Sequence, residues 1–241
     1  MSNPELTYKI INHLKEELSR EITRGRLTFT PKRISVNIGE RGNIRKINAI
    51  LKMLEREGVI KFDKRMKRYY IDDENAKKIE DYLMKIEGAL LLEYHKPLSS
   101  IEPPINVYRI IKGEKQKIAQ AKRKSIMKPI YYVNSPEKYT IIFRTYKMPG
   151  FTINKGDEKI FEAYKLGFMK PIKAMYNGKE MLIRRKWGRE IIIIRENEKE
   201  IAKMRGYGIE KAIFTYEEAL SEISIPISVA LFAIKQFDVI L

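Results

Sequence analysis

Asn43, Arg45, Lys46 and Asn48 stand together in NIRKIN, and Lys64, Arg65, Lys67 and Arg68 follow in KRMKR. Arginine presents a donor fork to guanine, asparagine matches the adenine edge and lysine meets phosphate. Four cations within five residues of a solvent loop suit the minor groove or the backbone beside it. Lys32 and Arg33, in TPKR just upstream, supply two more phosphate contacts. The chemistry within reach of these residues is recognition of double-stranded DNA.

Bond-making chemistry has little to draw on. The chain has no cysteine, which excludes disulfides, thiolate metal sites and a cysteine nucleophile. Its two histidines are His13, inside a helical pattern, and His95, at a helix end where a cation favours the dipole. No phosphate-binding glycine loop, HExxH or GxSxG is present. Asp157-Glu158 and Glu217-Glu218 are adjacent carboxylates whose side chains diverge, so a solvated surface is the expectation. Neither enzyme activity, metal nor cofactor is expected. The alternative is a nucleic-acid enzyme that uses the carboxylates of residues 151–241 with a divalent metal, which a metal-dependent activity lost on changing Asp157 or Glu158 would reveal. Trp187 reads as a core plug, with base stacking as its alternative.

The elements that position the basic residues are legible. Pro4 to Ile22 carries Leu6, Ile10, Ile11, Leu14 and Leu18 at helical spacing. Thr30-Pro31 opens a short helix that turns Ile34, Val36 and Ile38 inward. Gly39 and Gly42 bracket a tight turn. Asn43 caps the next helix, whose inward stripe is Ile44, Ile47, Leu51 and Leu54, and Gly58 ends it. A basic hairpin follows, entered through Val59, Ile60 and Phe62 and left through Tyr69, Tyr70 and Ile71.

This order resembles the winged helix-turn-helix family, especially small archaeal transcription regulators, over roughly residues 4–84. Its most family-like piece is L-x-R-E-G-V-I, Leu54 to Ile60. The resemblance implies a recognition helix at Asn43–Glu57, a wing at Ile60–Ile71 and a role in transcriptional regulation. A module of the same kind that docks protein, in an archaeal or viral complex, is the competing implication.

Charge agrees with a polyanion partner. The 241 residues carry a net charge of +17 with a pI near 9.7. Residues 1–84 hold 19 Lys/Arg against 13 Asp/Glu, residues 85–150 hold 13 against 5, and residues 151–241 hold 16 against 13, so the surplus lies in the front and middle. At 44% hydrophobic and 33% charged, the chain can build a core and remain soluble. MSNPELTYK has no apolar leader, and the run Ile223 to Ile234 is too short to span a bilayer, so a cytoplasmic setting is expected. Abundant Lys, Glu and Ile, with glutamine only at 116, 120 and 236, suit a thermophile.

Beyond the hairpin, Asp73 to Tyr94 reads as one long helix. Ile79, Leu83, Ile86 and Leu90 follow an a/d rhythm, which predicts a homodimer that places two recognition helices on two half-sites. Lys96 to Pro136 is broken by prolines, and its basic run Lys112 to Lys128 reads as a phosphate-tracking helix or a solvated linker. From Tyr139 the period shortens. Strands are predicted at 139–146, 159–166, 172–176, 180–185, 190–195 and 200–205. Turns are predicted at Asn177-Gly178, Trp187-Gly188 and 196–198, with a helical turn at Tyr216–Ser221. The tail Ile225 to Leu241 is apolar all round and must be buried, as a central helix or a core strand.

Asn177–Gly206 and this tail resemble the tubby C-terminal-like architecture shared with the LURP-one related proteins, over roughly residues 139–241. That resemblance implies a lipid-, anion- or partner-binding module; an ordinary α+β sensing or dimerisation domain is the alternative. The expected fold class is therefore α+β: a winged helix domain at 1–95, a Pro-rich basic linker at 96–138, and an antiparallel β-rich domain at 139–241 closed by an apolar helix.

Overall fold

A computed structural model describes residues 3–20, 26–94, 104–124, 129–144, 149–165, 167, 171–186, 190–195, 197–208 and 210–237. The chain forms two compact units: Met1–Gly88 with Ile110–Lys115, and Ala89–Arg109 with Gln116–Leu241.

In the first unit, α1 (Pro4–Arg20) starts where Asn3 Oδ1 accepts the Leu6 N–H at 3.2 Å. Its buried side chains include Ile10, Ile11 and Leu14. β1 (Arg26–Phe29) leads into α2 (Pro31–Asn37), capped by Thr30, whose hydroxyl accepts the Arg33 N–H at 3.2 Å. A 3-10 turn at Arg41–Asn43 precedes α3 (Ile44–Arg56). The chain then forms β2 (Lys61–Asp63), β3 (Arg68–Asp72) and α4 (Asp73–Glu87). The three strands pair antiparallel in the order β1-β3-β2, with Phe29 and Phe62 both opposite Tyr69, and α4 packs on α1.

Several inward assignments need revision. Val36 is 44% and Ile44 41% exposed, while Ile50 joins Ile47, Leu51 and Leu54 in the core. The helix phase explains this: Ile44 sits at the first helical position, off the buried stripe centred on Leu54. Gly39 (φ +73) and Gly58 (φ +71) end α2 and α3 in the left-handed conformation, whereas Gly42 has no positive φ.

The second unit is a closed barrel of twelve strands. These are β4 (Leu90–Tyr94), β5 (Ile105–Ile111), β6 (Glu114–Arg123), β7 (Ile130–Asn134), β8 (Lys138–Arg144), β9 (Gly150–Lys155), β10 (Glu158–Lys165), β11 (Ile172–Tyr176), β12 (Lys179–Lys186), β13 (Glu190–Arg195), β14 (Glu200–Gly208) and β15 (Lys211–Tyr216). Each strand pairs with its chain neighbours, and β15 pairs with β4 to close the ring. A barrel this wide leaves a lumen that side chains alone cannot fill. α5 (Ser224–Phe237) fills it, with Pro226 to Ile234 all buried and contacts to β4, β8, β9, β14 and β15. Its serines do not break the apolar fill. Ser224 and Ser228 donate to the carbonyls of Ser221 and Ile225 at 2.8 and 2.7 Å. An aromatic belt lines the wall: Phe143, Phe151, Phe161 and Tyr176 follow one another at 5.6, 5.5 and 6.4 Å. Gly150 is required where β9 meets β10, because a Cβ there would lie 2.1 Å from the Ala163 carbonyl oxygen.

The barrel overturns the expected α+β fold class of winged helix, basic linker and shorter β-rich domain. The β architecture begins at Leu90 and not at Tyr139, and the described part of the supposed linker supplies β5, β6 and β7. Within the basic run, Glu114–Arg123 is a strand because Ala119 and Ala121 turn inward while Gln120 and Lys122 turn outward, a period of two hidden beneath the charge. The dimer stripe is likewise divided. Ile79, Leu83 and Ile86 are buried within the first unit, and Leu90 lies in the barrel core, so the chain's own packing already covers all four. Among the described residues, no helix is long and apolar enough to cross a membrane.

Candidate nucleic-acid interface

α3 buries Ile47, Ile50, Leu51 and Leu54, which turns Arg45, Ala49, Lys52 and Arg56 to solvent at spacings of four, three and four. The stripe carries three cations around one small residue, so a groove edge can approach the helix closely at Ala49. Lys46 is exposed on its flank. Lys52 and Arg56 were not among the expected contacts. The signal for them was present, since they continue the i, i+4, i+7 series from Arg45.

The β2–β3 hairpin is built around Asp63. Its Oδ1 accepts the backbone N–H of Arg65 at 2.9 Å and of Met66 at 3.0 Å, and its Oδ2 lies 3.2 Å from the Arg26 guanidinium. The Met66 N–H contributes most to holding the Asp63 carboxyl below its usual range, with the Arg65 N–H and Arg26 adding to it. Lys67 closes the turn at φ 51, a left-handed conformation that costs a lysine some strain. Lys64, Arg65, Met66, Lys67 and Arg68 are consequently all exposed on one tip. At its base, Tyr69 packs against Phe62 at 4.9 Å, and its hydroxyl donates to Asn48 Oδ1 at 3.4 Å, which ties the hairpin to α3.

The expected contacts divide into free and committed groups. Among the described residues, Lys32, Arg45, Lys46, Lys64, Arg65, Lys67 and Arg68 form no ion pair. Arg33 lies 3.5 Å from Glu17. Asn43 makes no side-chain cap; its Nδ2 donates instead to Glu40 Oε2 at 2.7 Å. Asn48 is half-buried beneath Tyr69. The two asparagines thus shape the approach to α3, and the cations are what it presents.

The carboxylate pairs gain no company. Asp157 and Glu158 are exposed on the β9–β10 turn, and Glu217 lies 2.9 Å from Lys199. Among the described residues, no cluster of three or more His, Asp or Glu side chains is placed to hold a metal. His13 accepts a hydrogen bond from Asn37 Nδ2 at 3.2 Å in a structural contact between α1 and the end of α2. His95, Trp187 and its turn with Gly188, and Glu196 lie outside the described residues. Comparison with protein-family models, curated proteins and solved structures finds no match to this chain.

Proposed function

We propose that the chain is a DNA-binding protein, a transcriptional regulator in its biological role. The α3 stripe Arg45, Lys52 and Arg56 enters the major groove, and the hairpin tip Lys64, Arg65, Lys67 and Arg68 grips the flanking backbone. Lys32 and Lys46 add phosphate contacts at the sides. This division of labour is the one the winged helix resemblance implies. The observation that carries the reading is the set of exposed cations on α3 and the hairpin that form no ion pair among the described residues. Cations left uncompensated in water gain most from releasing the counterions of a nucleic acid. For the barrel we propose an assembly or ligand-sensing role. Twelve strands closed round an apolar helix support the tubby-like resemblance on which that role rests.

The test is a salt titration of binding to random and selected duplexes. Duplex binding that weakens steeply with salt, and a bound-site footprint with a common sequence, supports the reading. A salt slope near zero would favour the competing one, a protein-docking module. That alternative draws on Val36, Ile44 and Met66, which are 44%, 41% and 50% exposed beside the cations.

A further inference from the structure

The barrel wall is electrostatically lopsided. β5, β7, β8 and β9 contain no Asp or Glu, and β6 contains one, Glu114, at its first residue. Glu137, in the turn between β7 and β8, is engaged by Lys155 at 2.7 Å. By contrast, β10, β12, β13 and β14 each carry at least one glutamate. On this acid-poor side stands an aromatic ring that the fold does not bury. Tyr132 is 45% exposed, and its neighbours Tyr131 and Val133 point into the core, so it projects from the outer face.

Register places cations and small polar groups around that ring. Lys122 of β6 and Thr140 of β8 lie directly opposite Tyr132 on either side, while Asn134 is flanked by Lys138. Directly opposite residues share one face of a sheet, with neighbouring strands about 4.8 Å apart. Lys124 lies over one face of the ring in a cation–π contact, its Nζ 5.7 Å from the centroid, and its backbone N–H is anchored to the Ile130 carbonyl at 2.7 Å. Lys122, Lys124 and Lys138 form no ion pair among the described residues.

From this arrangement we infer that the outer face of β6–β8 is a binding site for single-stranded nucleic acid. An exposed tyrosine amid lysines on a sheet gives a base somewhere to stack and its phosphates a cationic track. A duplex hides its base faces inside the stack, so the ring selects unpaired bases. Charge alone would also attract an anionic membrane surface, but such a surface offers no flat aromatic partner for Tyr132. The site is built from other residues than α3 and the hairpin and does not depend on the duplex reading.

The full chain is titrated against labelled oligo(dT), an oligonucleotide of the same length without bases, a duplex, and phosphatidylserine vesicles. Tyr132→Ala is expected to lower oligo(dT) affinity about tenfold while Tyr132→Phe retains it. The joint change Lys122→Glu and Lys124→Glu is expected to weaken oligo(dT) and the baseless strand alike. Tyr132→Ala should leave duplex affinity unchanged, whereas Arg45→Ala should alter duplex binding and not oligo(dT). The inference is overturned if the wild-type chain does not bind oligo(dT), or if Tyr132→Ala binds it as tightly as wild type. Binding to vesicles that depends on Tyr132, with oligo(dT) binding indifferent to it, would overturn it in favour of a membrane surface.

Discussion

Exposed cations behave differently in two parts of this molecule. Across β10–β14 several exposed or half-buried cations are matched with glutamates, Lys173 with Glu180 at 2.6 Å, Lys186 with Glu200 at 3.4 Å, and Lys203 with Glu190 at 3.1 Å, while Lys179 and Arg184 form no ion pair among the described residues. Burial of Glu190 works against its charged form, yet Lys203 and Arg205 outweigh that and hold its carboxyl below the usual range. On the exposed stripe of α3 and at the tip of the β2–β3 hairpin, Lys64 to Arg68, the same residue types have no such matches among the described residues; Lys61, at the hairpin's base, is paired with Asp72 and Glu74. The pairs cancel beyond a Debye length, about 8–10 Å at ordinary salt, whereas unpaired cations add their fields. A net charge of +17 therefore does not locate a polyanion site; the distribution of unmatched charge does.

The comparison breaks most visibly if the hairpin is neutralised. Changing Lys64, Arg65, Lys67 and Arg68 together to Ala is expected to lower duplex affinity by about 10²–10⁴-fold and to flatten the log–log salt slope by about 3.6. An unchanged slope would remove the hairpin from the interface. Arg45→Ala comes next, with a loss of about 1–3 kcal/mol on the preferred sequence and relaxed preference at one position. Equal losses on every duplex would make Arg45 a phosphate contact. The control lies in the barrel. Arg144→Ala removes an exposed pair with Glu162 and should change stability by less than about 1 kcal/mol, with no effect on duplex binding.

Where a residue's periodicity and its environment agree, the chain can be read directly. Asn177 (φ 49) and Gly178 (φ 72) make the tight β11–β12 turn that an Asn-Gly pair demands, and β11 to β14 lie close to where alternation puts them. The described part of the apolar tail is a helix, buried from Pro226 to Ile234, one of the two expected forms. The barrel's extent was hidden for physical reasons. β6 alternates small alanines with long cations, so its inward face is too slight to register as apolar. β4 (LLLEY) is buried along nearly its whole length and continues the apolar stripe of α4 without a break in sequence. At the interface the residue types were legible and the helix phase was not. Lys52 and Arg56 lie on the exposed stripe, while Asn43 and Asn48 are held by Glu40 and Tyr69.

Lys67 separates charge from shape at smaller amplitude. Its φ of 51 is a conformation that glycine adopts without strain, so Lys67→Gly removes one charge while preserving the turn. Duplex binding should weaken on all sequences alike, with the slope flattened by about 0.9. The stability of the unit should hold or rise by up to about 1 kcal/mol. A larger loss of affinity accompanied by a lower melting temperature would mean that the lysine shapes the hairpin and that its charge is secondary.

Glu40 gives the finest test, because it is the carboxylate beside the start of α3. Hydrogen bonds from Lys9 and then from Asn43 hold its pKa below the ordinary 4.5. A carboxyl lowered on folding stabilises the fold above its unfolded value, and that contribution is lost as pH falls through the folded value. Glu40→Gln should therefore melt earlier than wild type at neutral pH, by a few tenths of a kcal/mol given its exposure. The difference should close as the pH drops below about 4.5. The same change removes a negative charge near Lys46 and loosens Asn43, so duplex affinity at neutral pH should rise slightly. Weaker binding by this variant would show that Glu40, through Asn43, sets the position of α3, and that unmatched charge alone does not define the interface.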